Sequence, residues 1–180
     1  MRLNRPIDTS GFVGGDLRDL DGISAFGAVG RISRLNAFGR ADQFAAFGFR
    51  LLHTEDVSKV LSLSERRKQA VVQSLGCDAQ ISDWWEIDRW MPFAHDNVWE
   101  KLRWRLRICP TCMRHGYHTL LFQMPWIDRC PWHRTAVIDA CRRCKEQFAN
   151  ANSVMWPLMR CKCGLDYVDR SEEHTSELQS

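Results

Sequence analysis

The cysteines of this chain constrain its fold more than any other feature. Seven of the eight cysteines in 180 residues lie between Cys109 and Cys163. With one histidine they form four short pairs, at Cys109/Cys112, Cys130/His133, Cys141/Cys144 and Cys161/Cys163. A gap of one or two residues lets both ligand atoms reach one ion from a tight turn, and tetrahedral zinc takes two such pairs. The spacing therefore predicts two metal sites.

Loop length groups these pairs into two quartets. Seventeen residues separate Cys112 from Cys130, and sixteen separate Cys144 from Cys161, which is typical of zinc ribbons and zinc fingers. The first site then has three cysteines and one histidine, and the second has four cysteines. Catalytic zinc usually keeps an open position, whereas both quartets are closed. We expect two structural Zn²⁺ ions and no enzyme activity.

Other histidines and cysteines have simpler interpretations. His115 and His118 are alternative ligands, but Cys130 and His133 complete the first set without them, so we expect His118 to pack or to form hydrogen bonds. Cys77 stands alone and is interpreted as a buried small residue. Basic residues flank the second quartet and favour its thiolates; they are Arg142, Arg143, Lys145, Arg160 and Lys162.

Composition excludes two broad classes of protein. Hydrophobic residues at 44% and charged residues at 26% are globular values, so a wholly disordered chain is excluded. No stretch approaches the roughly 18 apolar residues of a membrane span, and the polar start does not fit a signal peptide. Paired cysteines in a reducing compartment indicate metal binding rather than disulfides. The net charge of +3 is too small to argue for nucleic acid.

The N-terminal half is predicted to be helical. Glycines and aspartates in residues 1–22 predict a flexible lead-in, and apolar residues recur at every third position over 23–38. A second helix is predicted over 41–53, so the two form either a helix-turn-helix or an ordinary helical hairpin. Ser62 and Glu65 have capping-box spacing before a third helix that ends near Gly76. This helical region is assigned to residues 23–100.

Two segments combine aromatic or apolar residues with charge. Tryptophans in residues 83–99 alternate with acidic residues, which favours structural aromatic packing over contact with nucleic-acid bases. Residues 101–108 alternate basic and apolar residues, which predicts a strand with one basic face. This face meets either solvent or an anionic partner. The candidate phosphate contacts are Lys101, Arg103, Arg105 and Arg107, with Arg66, Arg67 and Lys68 second.

The last eleven residues, RSEEHTSELQS at 170–180, match one reading frame of a common sequencing-library adapter. We interpret them as an assembly artefact and expect the natural chain to continue past about Asp169. The alternative is an ordinary acidic tail, and independent sequencing of the source locus distinguishes the two. The fold class expected for the remainder is α+β: a helical N-terminal part followed by a tandem zinc-finger module over 101–169.

The run LRICPTCMRHGYHTLLFQMPWIDRCPWHRTAVIDACRRC, residues 106–144, resembles the TniQ family of transposition proteins. The shared pattern is CPxC, a GYH-like stretch, a Gln and a Trp before CPxH, and a second CxxC. Cys161 and Cys163 match the closing pair of the second finger, so the resemblance covers roughly residues 100–165.

This resemblance implies a non-catalytic target-site selector in DNA transposition. Such proteins bind target DNA or a CRISPR-type guide complex and recruit an AAA+ ATPase regulator. It also implies a bacterial, cytoplasmic, nucleoid-associated protein with no membrane partner, and a homodimer is a further candidate assembly. The alternatives are a zinc-stabilised protein–protein adaptor that touches no DNA, and a zinc-dependent hydrolase, which would need an open coordination position.

Overall fold

A computed structural model describes residues 13, 17, 20–38, 42, 46–47, 64–75, 85, 106–148, 154–155 and 159–167. Three α-helices are named here in chain order: α1 (Ala25–Leu35), α2 (Glu65–Leu75) and α3 (Pro110–Arg114). A 3-10 helix follows at Leu120–Gln123, and β1 (Val154–Met155) pairs antiparallel with β2 (Arg160–Cys161). Helices and one two-stranded antiparallel sheet among the described residues agree with the coarse α+β prediction of a small fold, whereas its zinc-ribbon and zinc-finger modules stay predictions.

Helix α1 forms where the apolar period predicted it. Ser24 caps its N-terminus by accepting a hydrogen bond from the Gly27 N–H, and Asn36 follows its last turn. Phe26, Val29 and Ile32 are buried on one face. Gly27 is needed for close approach, because a Cβ there would lie 2.9 Å from Ile23 Cγ1 and 3.0 Å from the backbone N and O of His118. The glycine therefore lets α1 pack directly onto the backbone of His118, which lies in the loop between the two ligand pairs of the first quartet.

The predicted second helix lies mostly outside the described residues. Asp42, Ala46 and Phe47 have helical backbone, and the rest of 41–53 is not described. The helix-turn-helix therefore stays a prediction. The third predicted helix is α2, which begins at Glu65 and ends at Leu75, next to Gly76 in the sequence.

The described residues of the lead-in pack against α1. Leu17 is buried, and Val13 exchanges hydrogen bonds with the Asn36 side chain: its N–H donates to Oδ1 at 3.1 Å and its carbonyl accepts from Nδ2 at 2.9 Å. These contacts connect the described positions of the lead-in to the end of α1, and the flexibility expected for residues 1–22 stays a prediction.

One hydrophobic core crosses the predicted domain boundary at residue 100. Phe26 and Ile32 of α1 belong to the same buried cluster as Leu106, Phe148 and Tyr167. Trp85, from the tryptophan-rich segment, is buried in this cluster and donates from Nε1 to the Ile23 carbonyl at 3.0 Å. The helical and cysteine-rich parts are thus packed on each other.

The strand predicted over 101–108 is wrong in its described part. Residues 101–105, with the candidates Lys101, Arg103 and Arg105, lie outside the described residues. Residues 106–108 make only an isolated bridge, Ile108 with Ile138, and the Leu106 N–H donates to the Phe148 carbonyl. The alternation correctly separates buried Leu106 and Ile108 from a more exposed Arg107, but the segment pairs with irregular backbone rather than with a sheet.

Candidate metal centres

The structure brings the eight predicted ligands together as two groups, and the ligand atoms of each group lie within 4.8 Å of one another. The first quartet is Cys109, Cys112, Cys130 and His133. The second quartet is Cys141, Cys144, Cys161 and Cys163. Each group can hold a metal ion.

The first quartet joins a helix to a turn. Cys109 caps α3, with Pro110 at the first helical position, and Cys112 follows one turn later. Cys130 and His133 come from a turn between Arg129 and Ala136, which form an isolated antiparallel bridge. The three cysteines are buried and His133 is exposed, so one edge of this site meets solvent.

Distances in the first quartet match tetrahedral coordination. Metal–sulfur bonds of about 2.3 Å place two sulfurs about 3.8 Å apart, and a shorter metal–nitrogen bond brings sulfur and nitrogen slightly closer. Cys112 Sγ lies 3.7 Å from Cys130 Sγ, and His133 Nδ1 lies 3.5 Å from Cys130 Sγ. The Cys109 and Cys112 sulfurs lie 3.9 and 3.2 Å from the same nitrogen. Four donors therefore surround a space the size of one ion.

Three ligand turns repeat one backbone pattern. The N–H of the first cysteine donates across the turn to a carbonyl, for Cys130 to Thr135, for Cys141 to Glu146 and for Cys161 to Leu165. The carbonyl of that cysteine accepts from a residue in the left-handed region: Arg134 (φ 55°), Lys145 (φ 61°) or Gly164 (φ 85°). Left-handed backbone is costly for Arg and Lys, since their Cβ is crowded there. The repeated turn directs both ligands of each pair to one side.

The second quartet has the same donor spacing and more exposure. Cys141 Sγ lies 3.7 Å from Cys163 Sγ, and Cys144 Sγ lies 3.6 Å from Cys161 Sγ. Cys141 and Cys161 are buried, Cys163 is half-buried and Cys144 is exposed. Four sulfur donors in this arrangement suit a thiophilic ion of tetrahedral preference.

A buried polar atom supports a bound ion at the second quartet. The Tyr167 hydroxyl is buried without a hydrogen-bond partner of ordinary geometry, and its interaction is with the Cys141 thiol. Backbone N–H groups of Arg143 and Cys144 also point at the Cys141 sulfur. Hydrogen-bond donors around a sulfur favour its thiolate, which is the form that binds metal.

Thiol acidity in the first quartet follows from the crowding of its sulfurs. A hydrogen bond from the Cys112 thiol lowers the pKa of Cys109 to about 4, and the same interaction raises the pKa of Cys112. Without metal, the pair therefore holds one thiolate stabilised by its neighbour's proton. Metal binding must displace the remaining protons, so affinity falls as pH falls.

His118 connects the first quartet to α1. It is completely buried, its carbonyl accepts from the Ser24 N–H at 2.7 Å, and its Nδ1 lies 2.6 Å from Ser24 Oγ. Its Nε2 lies 3.0 Å from the Arg107 carbonyl, which can only accept, so Nε2 carries the proton and Nδ1 accepts from the Ser24 hydroxyl. Burial lowers the pKa of His118 to about 4. The expectation that His118 hydrogen-bonds rather than binds metal is correct.

Two predicted phosphate contacts have structural partners instead. Arg107 directs its guanidinium inward, where Nη1 donates to the Met124 carbonyl at 2.6 Å and Nη2 to the Ile127 carbonyl at 2.8 Å. Lys68 has a side chain only 7% exposed, and its Nζ lies 2.6 Å from the Glu65 carboxylate. Both side chains therefore have partners within the protein, and contact of either one with phosphate stays a prediction. Arg66 is exposed on α2, and Arg67 is half-buried.

Sequence spacing missed the residues that support the ligands. Thr135 Oγ1 lies 3.1 Å from Cys109 Sγ, and Gln123 binds the backbone of Arg107 through both ends of its amide. The Tyr167 side chain interacts with the Cys141 thiol, although the two residues are 26 positions apart in the sequence. Spacing identifies ligand pairs because they share a turn, whereas these supports depend on the packing of distant segments.

No helix in the described part of the chain is long and apolar enough to cross a membrane. No model of a known protein family matches the chain, and no curated protein matches it.

Proposed function

We propose that both quartets bind structural Zn²⁺ and that the protein is a non-catalytic target-site selector in DNA transposition. In this role it binds target DNA or a DNA-targeting complex and recruits an AAA+ ATPase regulator. The observation that carries the proposal is the pair of four-donor quartets built from the run that resembles TniQ. Four protein donors leave no coordination position for substrate, which favours a structural ion over a catalytic one.

The arrangement of the supporting residues is also in line with a structural role. The GYH-like stretch that contributes to the resemblance supplies Tyr117 and His118, which bind the backbone or side chains of Asp21 and Ser24. In such an arrangement the ion fixes the orientation of α1 relative to the finger, and its binding energy adds to the small core.

The direct test uses the full, metal-loaded chain with two probes. One is a labelled DNA duplex, and the other is an AAA+ ATPase regulator of a transposition system that contains a TniQ protein. We expect retention of the ATPase in a pull-down and a salt-dependent shift of the duplex. Failure to retain the ATPase together with failure to shift DNA would overturn the proposal.

A protein–protein adaptor without DNA contact is the second candidate. Trp126 is 65% exposed and Trp132 is 54% exposed, next to the first quartet, and exposed tryptophans are frequent anchors of protein interfaces. Trp126→Ala should then abolish ATPase retention with no change in metal content. Retention with no duplex shift would favour this candidate over DNA-based selection.

A further inference from the structure

Two neighbouring cavities are lined by arginines from three separate parts of the chain. The first, about 240 Å³, is lined by Arg31 and Arg34 of α1 together with Arg114 of α3. The second, about 250 Å³, is lined by Arg114 again and by Arg142 and Arg143 of the second quartet's first turn. Arg114 lines both cavities, which therefore adjoin at its side chain, and we call the arginines of the two cavities the arginine groove (Arg31, Arg34, Arg114, Arg142 and Arg143).

Positive charge exceeds negative charge in this groove. Among the described residues that line it, Asp166 is the only acidic one, and it is ion-paired with Arg34. A divalent ion held by four thiolates carries a formal charge of −2, which the five guanidinium groups also exceed. The positive charge of these arginines is therefore larger than the charge needed to neutralise the second quartet with its ion.

Arg31 shows an unused donor within the groove. Its Nη1 donates to the His115 carbonyl at 2.6 Å, which fixes the guanidinium against α3. Its Nε is buried and has no hydrogen-bond partner among the residues that the structure describes. A buried donor without an acceptor is costly, and an anionic oxygen entering the first cavity would satisfy it.

The lining also suits an elongated anion with apolar parts. Leu35 and Met159 lie beside the arginines of the first cavity, and Leu165 lies beside those of the second. Guanidinium groups bind phosphate oxygens in a bidentate manner, and apolar neighbours can contact sugar carbons between phosphates.

We propose that the arginine groove binds the phosphodiester backbone of duplex DNA. This inference rests on the proposed function and identifies the surface that would contact DNA. The groove is distinct from the predicted basic strand, whose Arg107 is held by backbone carbonyls. It joins α1, α3 and the second quartet, so metal binding at both sites maintains its shape.

The test compares two double variants of the full, metal-loaded chain. Arg142→Gln with Arg143→Gln removes two exposed charges from the groove, and Arg129→Gln with Arg134→Gln removes two exposed charges outside both cavities, beside the turn of the first quartet. Binding of a short mixed-sequence duplex is measured by fluorescence anisotropy over a salt series. We expect the groove variant to bind roughly tenfold more weakly at about 50 mM salt, with a log–log salt slope smaller by about 1.8, and the control to bind like the parent.

Metal content checks that each variant is folded, and Arg114→Gln provides a second groove variant that leaves the ligand turns unchanged. If DNA binding is weakened equally in the groove and control variants, or in neither groove variant, the groove inference is overturned. DNA binding by the parent would in that case still support the proposed function. No binding by the parent at low salt would overturn both. A polyglutamate probe that binds through the groove when DNA does not would instead assign the groove to an acidic protein.

Discussion

The two quartets each bring four donors together, three sulfurs and one nitrogen in the first and four sulfurs in the second, but they are joined to the rest of the molecule in different ways. The first adjoins α1 through direct packing at Gly27 and through the hydrogen bonds of His118 to Ser24. The second is built from two short turns, exposes Cys144, and contacts α1 through the ion pair of Arg34 with Asp166. We therefore expect two quartets of similar ligand spacing to differ in how strongly the surrounding fold depends on their metal.

Removal of metal should have the largest effect and should separate the two quartets. Structural zinc supplies apparent binding energies of roughly 10 kcal/mol or more, so a strong chelator should unfold residues 106–167. We expect the more exposed second quartet to lose order first, followed by the first quartet and then α1. Circular dichroism and amide hydrogen exchange measure this order. Unchanged circular dichroism after verified metal removal would show that packing alone maintains the fold.

Substitution of one ligand in each quartet tests separately whether the first quartet, and not the second, maintains the packing of α1. Cys144→Ser should release one metal and leave exchange protection at His118, because the first quartet and α1 remain packed. Cys112→Ser should release the first metal and also remove protection at His118. Identical protection patterns in the two variants would show that the quartets do not differ in this way.

Replacing glycine by alanine should destabilise the two regions for different reasons. Gly27→Ala improves helix propensity by about 1 kcal/mol, but its Cβ would meet backbone atoms of His118 that cannot move freely. We expect a net destabilisation of about 1–3 kcal/mol in chemical denaturation. Gly164→Ala meets nothing nearer than Arg160 Nη2 at 4.0 Å, so it should cost only the left-handed backbone, about 1 kcal/mol. A stabilised Gly27→Ala variant would contradict the close approach of α1.

The junction at the first quartet should be sensitive to acid. The pKa of His118 is about 4 in the folded chain, against an ordinary histidine pKa of 6.5, so the unfolded state binds more protons between these values. Its contribution to stability is present above pH 6.5 and is lost as pH falls toward 4. Between pH 7.5 and 5.5 the loss should be roughly 1 kcal/mol. Comparing the parent with His118→Gln isolates this loss from metal release, and equal pH dependence in both would contradict it.

The ion pair near the second quartet should have the smallest effect. Arg34 is 30% exposed and Asp166 is 14% exposed, so solvent screens their attraction only in part. A double-mutant cycle with Arg34→Gln and Asp166→Asn should give a coupling energy of about 0.5–1 kcal/mol. A coupling energy larger than the roughly 1 kcal/mol of stability that acid removes at His118 would contradict this order of effects.

Features set by local sequence could be predicted, and features set by distant packing could not. The ligand pairs share turns, and α1 and α2 carry clear apolar periods, so spacing and periodicity located them. Alternation around Arg107 could not reveal that its guanidinium reaches the Met124 and Ile127 carbonyls instead of solvent. Likewise, no local pattern brings Arg31, Arg114 and Arg142 to adjoining cavities, because their positions follow from how α1 packs on the two quartets.

Native mass spectrometry can show whether one folded chain holds two closed metal sites. The full protein is purified under reducing conditions and weighed before and after denaturation in acid. We expect a native mass raised by two Zn²⁺ ions, less the protons that they displace, and an unfolded mass equal to that of the fully reduced chain. A folded monomer that carries fewer than two ions, or an unfolded mass lowered by disulfide formation, would contradict this expectation.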